Sequence, residues 1–474
     1  MKKALVALSV ALSLGATATI AEESQSISTA AKTDLMTVYQ AALSNDTQYL
    51  ISHANLKATE QGVRISRSSL LPQISASATK SRRDNDSTGQ GLDGSPSDPF
   101  NRTSDSTTYQ VRLTQSIFDW ANWVALDQAG LRLKASELNH GSKLQDLMSR
   151  AAQAYFNVLS AEENLATTQA ELEALKQQLD LTREQYESGL ANATDYLNAQ
   201  ANYDQSLANE VSLKNSLNIA KESLRQITNN YYMALEGLGD EVELSEPSPN
   251  NIDDWTRVAA QENLGLKAQQ ANVKVAKKEI DRNRSGHYPS LNFDITYSDS
   301  DSDTDDLYPN GTTFGSTTLP PGTVLSSSGQ SEGYSAGITL SVPIFSGFRT
   351  SAQTEQAKQN YLSSSHQHEQ TARQVQASAR NAFTNLQSAI ASFKAYKRSL
   401  ESNQSSLEAT QEGYQAGTRN IIDVLTATRS YYNARRNLTR AKYDYLINGI
   451  NLKLAAGTLT EADLQEVNQL LLKY

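Results

Sequence analysis

The stretch Glu184-Gln185-Tyr186-Glu187-Ser188-Gly189 recurs as Glu412-Gly413-Tyr414-Gln415-Ala416-Gly417, so that each residue number is 228 higher in the second copy. Asp195 and Tyr203 recur at the same spacing as Asp423 and Tyr431. Self-similarity at a long fixed offset indicates a duplicated structural unit. We therefore predict a first repeat at residues 22–235, a linker at 236–251, a second repeat at 252–456 and a C-terminal segment at 457–474.

Residues 1–21 have the composition of a cleaved secretory signal peptide. Lys2 and Lys3 precede an apolar run, and small residues follow it. The chain has no cysteine, which excludes thiolate metal sites, catalytic thiols, disulfides and a lipid-modified N-terminal Cys. A net charge of -10 without a basic patch argues against a nucleic-acid partner. After the signal no run of 18 apolar residues occurs, so a membrane-spanning part would have to be a closed barrel.

Period-2 alternation predicts a strand pair in each half, at about 72–118 and about 289–345. A soluble sandwich could use the same alternation, but four strands are too few for two packed sheets. Aromatic residues at the strand ends are typical of a membrane interface. These are Phe118, Trp120, Trp123, Phe345 and Phe348. Four strands cannot close a barrel, so a membrane-embedded sheet requires several copies of the chain.

Very long helices are the second feature of the sequence. Residues 119–188 contain no proline, and 70 helical residues extend for roughly 105 Å. Their apolar and small residues alternate at spacings of 4 and 3, which predicts coiled-coil packing. Shorter helices at about 34–69 and 190–230 together match this length. We therefore expect the two short helices to stack end to end beside the long one.

Several blocks of the sequence resemble the TolC family of outer-membrane efflux proteins. They include Leu113-Thr114-Gln115-Ser116-Ile117-Phe118-Asp119, Ser223-Leu224-Arg225-Gln226-Ile227-Thr228-Asn229-Asn230-Tyr231-Tyr232 and Gly417-Thr418-Arg419-Asn420-Ile421-Ile422-Asp423-Val424-Leu425. The resemblance is to the TolC branch rather than to the lipid-anchored branch, because the N-terminal Cys is absent. It implies an α+β membrane protein: a homotrimer with a twelve-stranded β-barrel in outer-membrane lipid, four strands per protomer, continued by a long periplasmic α-helical coiled-coil barrel.

The resemblance also implies a function and its partners. The expected protein is a passive exit duct for multidrug efflux and type I protein secretion, without cofactor, metal or catalytic residues. A periplasmic adaptor protein and an inner-membrane RND, MFS or ABC transporter are expected to open its periplasmic end.

Site residues follow from the same resemblance. Asp423 matches an acidic ring at the narrow entrance, where the type member has a second acid at the position of Thr426. Thr194, Asp195, Tyr414 and Arg419 match a polar latch between two helical hairpins. The tips that dock adaptors match Gly189, Leu190, Ala191, Gly417 and Thr418.

Other interpretations remain open at this stage. Asp423 could simply complement a helix dipole, and a trimeric coiled-coil stalk or adhesin is the alternative to a duct. Gly329-Gln330-Ser331-Glu332-Gly333 fits a hydrolase G-x-S-x-G pattern, but we expect it in a Ser-rich loop without the strand–turn–helix context. The Asp-rich run at 299–306 departs from a calcium loop, and we predict a solvated extracellular loop there.

Overall fold

A computed structural model of the chain describes residues 32–87, 99–239, 246–314 and 316–472. The predicted signal peptide and part of the predicted linker lie outside these residues. The helices are α1 Leu35–Asn45, α2 Thr47–Ser68, α3 Trp120–Glu187, α4 Ala193–Thr228, α5 Ile252–Glu262, α6 Leu264–Arg284, α7 Arg349–Gln415, α8 Ile421–Ala456 and α9 Glu461–Leu472. The strands are β1 Gln73–Ser87, β2 Phe100–Phe118, β3 Ser290–Tyr308, β4 Thr312–Phe314, β5 Thr317–Leu319 and β6 Thr323–Ser341.

The long strands form one antiparallel sheet in the order β1-β2-β3-β6, and β4 and β5 form a separate hairpin. The two halves of the chain join where β2 pairs with β3, with Leu113 opposite Ile295 and Val111 opposite Tyr297. Within the described part of the chain, β1 pairs only with β2, and β6 pairs only with β3. The sheet therefore has two open edges, which expose backbone donors and acceptors.

Apolar alternation is confined to the end of the sheet nearest the long helices. In β3 it covers Leu291 to Tyr297, and beyond Tyr297 the same face carries Asp299, Asp301, Asp303 and Asp305. The expectation of a loop over residues 299–306 was wrong, because this run continues β3. Cross-strand partners hold it there, as where Arg102 donates to both carboxylate oxygens of Asp306 at 2.7 Å.

Two further details of the sheet differ from expectation. The G-x-S-x-G match lies inside β6, paired with β3, rather than in a loop. β6 also ends at Ser341, although the alternation of apolar residues continues to Ile344. Pro343 lacks the N–H that a continuing ladder would use, which accounts for the earlier end.

Each helix expected before a strand pair is broken in two. The break between α1 and α2 lies at Asp46, whose carboxylate accepts from the Tyr49 amide at 2.8 Å and pairs with Arg150. The break between α5 and α6 lies at Asn263, whose side chain caps the Leu266 amide at 3.0 Å. Both residues stop one helix and cap the next, so the prediction of one continuous helix was wrong at these points.

The main hydrophobic core lies where α1, α3, α4, α8 and α9 meet. Its fully buried side chains include Leu35, Tyr39, Tyr155, Phe156, Leu224, Tyr443 and Leu464. The Tyr155 hydroxyl donates to the backbone oxygens of Thr33 and Glu236 at 3.2 and 2.6 Å. In this core α1 and α9 pack against α3, α4 and α8.

The long helices extend far from this core. α3 has 68 residues and spans roughly 102 Å; α2 packs beside one part of it and α4 beside the other. α7 and α8 form the second long pair. Within the described ranges, none of the helices combines the length and apolar composition that crossing a bilayer requires. The tips of the α3–α4 and α7–α8 hairpins lie at the ends of α3 and α7 opposite to the ends that follow the sheet.

Candidate functional site

The two hairpin tips have the same backbone design. Gly189 and Gly417 follow the ends of α3 and α7 with φ angles of +73° and +72°. The Leu190 and Thr418 amides donate back to the Gln185 and Gly413 carbonyls at 2.7 and 2.8 Å. This is the hydrogen-bond pattern of a Schellman motif. The motif requires one residue in the left-handed conformation, which glycine adopts at the lowest energetic cost.

The residues expected to dock an adaptor all lie in these two turns. Leu190 is 83% exposed. Gly189, Gly417 and Thr418 are also exposed, and Ala191 is half-buried. An exposed apolar side chain at the end of a polar hairpin is a suitable contact for another protein, because covering it removes apolar area from water.

A small apolar cluster holds the two hairpins together just above the tips. Leu175 and Ala199 come from the first hairpin, and Ile421, Val424 and Leu425 come from α8 in the second. All five are buried, and Tyr414 packs against them. The cluster packs α8 of the second hairpin against α3 and α4 of the first, with Tyr414 of α7 against it.

Within the chain, Tyr414 and Arg419 contact residues other than their expected latch partners. The Tyr414 hydroxyl donates to Oε1 of Gln185, across the hairpins, at 3.0 Å. Arg419 lies with Nη1 4.0 Å from Oδ2 of Asp423, four residues further along its own chain. Thr194 is exposed and Asp195 half-buried at the start of α4. Neither has a side-chain bond to Tyr414 or Arg419 among the described residues.

Asp423 belongs to the first turn of α8 and forms a capping box with Asn420. The Asn420 side chain accepts from the Asp423 amide at 2.9 Å, and the Asp423 carboxylate accepts from the Asn420 amide at 3.4 Å. Asp423 therefore acts as an acid that caps and complements the N-terminus of α8, which was the alternative interpretation of this residue. Its side chain is still 38% exposed, so it can also contribute charge to an entrance. Thr426, one turn on, is exposed and adds no charge.

Charged side chains join α3 to α8 further from the tips, and the sequence did not identify them. Glu171, buried in α3, pairs with Arg436, while Glu163 pairs with buried Lys442 at 3.0 Å. Glu163 also accepts from the Tyr443 hydroxyl, and burial together with that carboxylate raises the pKa of Tyr443. Buried charges cost several kcal/mol when one partner is lost, roughly 3–5 kcal/mol. These pairs add contacts between the two hairpins away from the tips.

The aromatic residues predicted for a membrane interface lie where the sheet meets the long helices. Phe118 ends β2, Trp120 and Trp123 begin α3, and Phe345 and Phe348 lie between β6 and the body of α7. All five are exposed, and Phe345 and Phe348 stack edge to face at 5.4 Å. They border the apolar part of the sheet. Among the described residues, no three His, Cys, Asp or Glu side chains are grouped so as to hold a metal ion.

The chain is similar in sequence to known outer-membrane and secretion proteins. It is 36% identical over 440 residues to the outer membrane protein TolC of Escherichia coli, covering 93% of this chain and 85% of the relative. It is 33% identical over 436 residues to TolC of Vibrio cholerae, covering 92% and 93%. The proteases secretion protein PrtF of Dickeya chrysanthemi is 27% identical over 440 residues, covering 91% and 90%.

Solved structures agree in fold. The Campylobacter jejuni CmeC outer membrane channel superposes with a TM-score of 0.73 at 18% identity, covering 92% of this chain and 89% of the other. CusC gives a TM-score of 0.70 at 18% identity, covering 90% and 92%. At these identities the likeness concerns the fold alone.

The family model described as "Outer membrane efflux protein" matches residues 38–230 and 255–458, most of the chain, in two segments. The relatives place the protein in the outer membrane as an efflux or secretion channel. The family is one of channels rather than of enzymes. The chain belongs to the outer membrane efflux protein family, and within it is similar to TolC.

Proposed function

We propose that the protein is a passive exit duct that crosses the outer membrane and the periplasm and serves both multidrug efflux and type I protein secretion. One observation carries the proposal. A sheet with an apolar, aromatic-bordered face leads directly into helices of roughly 100 Å, so one chain combines a lipid-facing part with a long periplasmic part.

Three copies would complete the wall of the duct. The open edges of β1 and β6 support this, because backbone groups at a sheet edge in lipid have no water to bind. Pairing β6 of one copy with β1 of the next would give twelve strands and remove every edge. The long helices of three copies would then line one tube below the barrel.

Energy and specificity would come from partners. The proposed partners are a periplasmic adaptor protein at the hairpin tips and an inner-membrane RND, MFS or ABC transporter. Similarity to a proteases secretion protein supports a secretion role beside the efflux role. The exposed Leu190 supports the tips as the docking point.

The entrance would be closed by the tip contacts and opened by moving the hairpins apart. An exposed or half-exposed polar contact is worth about 1 kcal/mol or less, so adaptor binding can supply the energy to break it. Arg419 lies next to Asp423, and its positive charge offsets the acid in each copy. With Thr426 uncharged, the entrance would attract cations less strongly than a two-tier acidic ring.

Single-channel recording in planar lipid bilayers tests the proposal. Purified protein should conduct weakly, and a variant with Tyr414→Phe and Arg419→Ser should conduct several times better because its entrance opens. Tyr186→Phe is the matched control: Tyr186 occupies the equivalent position but stacks on Tyr196 at 5.8 Å within its own hairpin. Protein that inserts and never conducts, with or without these substitutions, would refute the duct.

A further inference from the structure

The partner of Tyr414 is a residue that the expected latch did not contain. Gln185 lies in the last turn of α3, and its Oε1 accepts from the Tyr414 hydroxyl of α7 at 3.0 Å. Both side chains are half-buried. Among the described residues near the two tips, this is the hydrogen bond that joins the end of α3 to the end of α7.

The duplicated sequence places glycine where this glutamine would otherwise recur. Gln185 aligns with Gly413, three residues before the cap of each helix. A Cβ on Gly413 would lie 2.8 Å from Cγ of Arg419 and 3.2 Å from Oγ1 of Thr418. Real Cβ atoms do not come as close as 2.8 Å to a neighbouring carbon, so a side chain here would displace Arg419.

Arg419 in turn aligns with Ala191, so large and small residues are exchanged between two positions. The first tip has a long side chain before the turn and a small one after it. The second tip has no side chain before the turn and a long one after it. The two turns share the same backbone hydrogen bonds, so this exchange, together with Leu190 in place of Thr418, distinguishes the surfaces of the tips.

The exchange has a direct consequence for the contact between the hairpins. Arg419 uses the space over Gly413, beside its own helix end, and lies toward Asp423. The end of α7 therefore cannot also carry a glutamine that reaches outward. The carboxamide that meets the Tyr414 hydroxyl comes from Gln185 of α3.

We propose that Gln185 is a positioning residue of the closed entrance: it holds Tyr414 against α3 and so keeps the two hairpin tips together. This inference rests on the proposed function of the tips as a gate. A neutral hydrogen bond changes an equilibrium by roughly fivefold. Loss of Gln185 should therefore shift each protomer by about this factor toward the open arrangement.

Single-channel conductance in planar lipid bilayers tests the role with the full-length protein. Gln185→Leu keeps the size and removes the acceptor, and it should raise conductance to the level of Tyr414→Phe. Gln185→Glu keeps an acceptor for the tyrosine hydroxyl and should stay at the wild-type level at pH 7. Gln177→Leu is the matched control, because Gln177 is exposed on the same helix and its side chain donates to Glu173 of that helix.

The double variant Gln185→Leu with Tyr414→Phe separates positioning from general weakening. If the two residues act through one bond, the double variant conducts no better than either single variant. Conductances that multiply would overturn the inference, as would a Gln185→Glu variant that is as open as Gln185→Leu. Far-UV circular dichroism melting should be the same for all variants, so that a change in conductance reports the gate.

The outcomes also distinguish this inference from the proposed function. If Tyr414→Phe opens the channel and Gln185→Leu leaves it unchanged, the role of Gln185 is wrong and the gate stands. If no variant and no wild-type preparation conducts, the duct itself is wrong.

Discussion

Replacing Asp46 by Asn should loosen the joint between α1 and α2 at neutral pH. The Asp46 side chain is 5% exposed and receives two hydrogen bonds from Arg150, at 2.8 and 3.0 Å. Asparagine can still cap the Tyr49 amide, but it leaves the arginine without its buried counter-charge. Breaking a buried ion pair costs about 3–5 kcal/mol. Arg150 is one-quarter exposed, and its ion pair with Asp146 at 3.0 Å remains in the variant. We therefore expect Asp46→Asn to cost less than this range, about 2 kcal/mol.

The effect should depend on pH in a defined direction. Burial disfavours the charged carboxylate, but the hydrogen bonds from Arg150 and Tyr49 outweigh it and lower the pKa of Asp46 below its usual value. A lowered pKa adds stability that is complete above the unfolded-state pKa of about 4. That stability is lost as the pH falls through the folded-state pKa. Wild type and Asp46→Asn should therefore differ fully at pH 7, and the difference should shrink as the pH falls below about 4.

Hydrogen exchange read by mass spectrometry on peptides covering residues 35–55 measures this local stability in detergent micelles. About 2 kcal/mol corresponds to roughly 30-fold faster exchange in the variant at pH 7. Asp119→Asn is the control, because Asp119 caps α3 through the Ala121 amide at 2.9 Å and has no ion pair among the described residues. Equal protection of Asp46→Asn and wild type at pH 7, or a difference that grows as the pH is lowered below about 4, would refute the reasoning.

Three further substitutions test other parts of the structure. Gly413→Ala should push Arg419 off the end of α7 and raise bilayer conductance, though less than removal of Arg419 does. Thr426→Asp adds a second acid one turn after Asp423 and should lower the half-blocking concentration of a trivalent cation by about tenfold. Gly457→Ala combines a φ of +75° with a Cβ only 2.5 Å from backbone, so it should destabilise the joint between α5 and α6 by about 3 kcal/mol. Hydrogen exchange over residues 252–270 measures that loss.

Glycines with open space around them provide the controls. A Cβ on Gly449 or Gly130 would have nothing within 4 Å, and both lie inside helices with ordinary φ. Gly449→Ala should leave conductance unchanged, and Gly130→Ala should leave exchange at the α5–α6 joint unchanged. If Gly413→Ala also leaves conductance unchanged, Arg419 does not depend on the space over that glycine. An unchanged half-blocking concentration in Thr426→Asp would mean that this position does not face the permeating ions.

Much of the architecture could be predicted from local patterns. Alternation from Leu291 to Tyr297 predicted a half-buried strand, and a proline-free stretch with a 3.5-residue period predicted α3 as one long rod. Gly189 and Gly417 marked the two hairpin turns, where both have positive φ. These features depend on residues close together in the sequence, so periodicity and backbone sterics are sufficient to predict them.

Other features depend on contacts between distant segments, and only the tertiary structure decided them. The carboxylate of Asp46 at the α1–α2 joint pairs with Arg150, 104 positions away, and the Asp-rich run extends β3 because β2 and β6 pair with it. The glutamine opposite Tyr414 likewise depends on how two hairpins pack, a relation that no local period encodes. The repeated Tyr and Gly of residues 184–189 and 412–417 by themselves determined that the chain makes two similar turns. The packing of one turn against the other determined that Gln185 meets Tyr414 while Gly413 leaves room for Arg419, because only packed helices bring those side chains within hydrogen-bonding and contact distance.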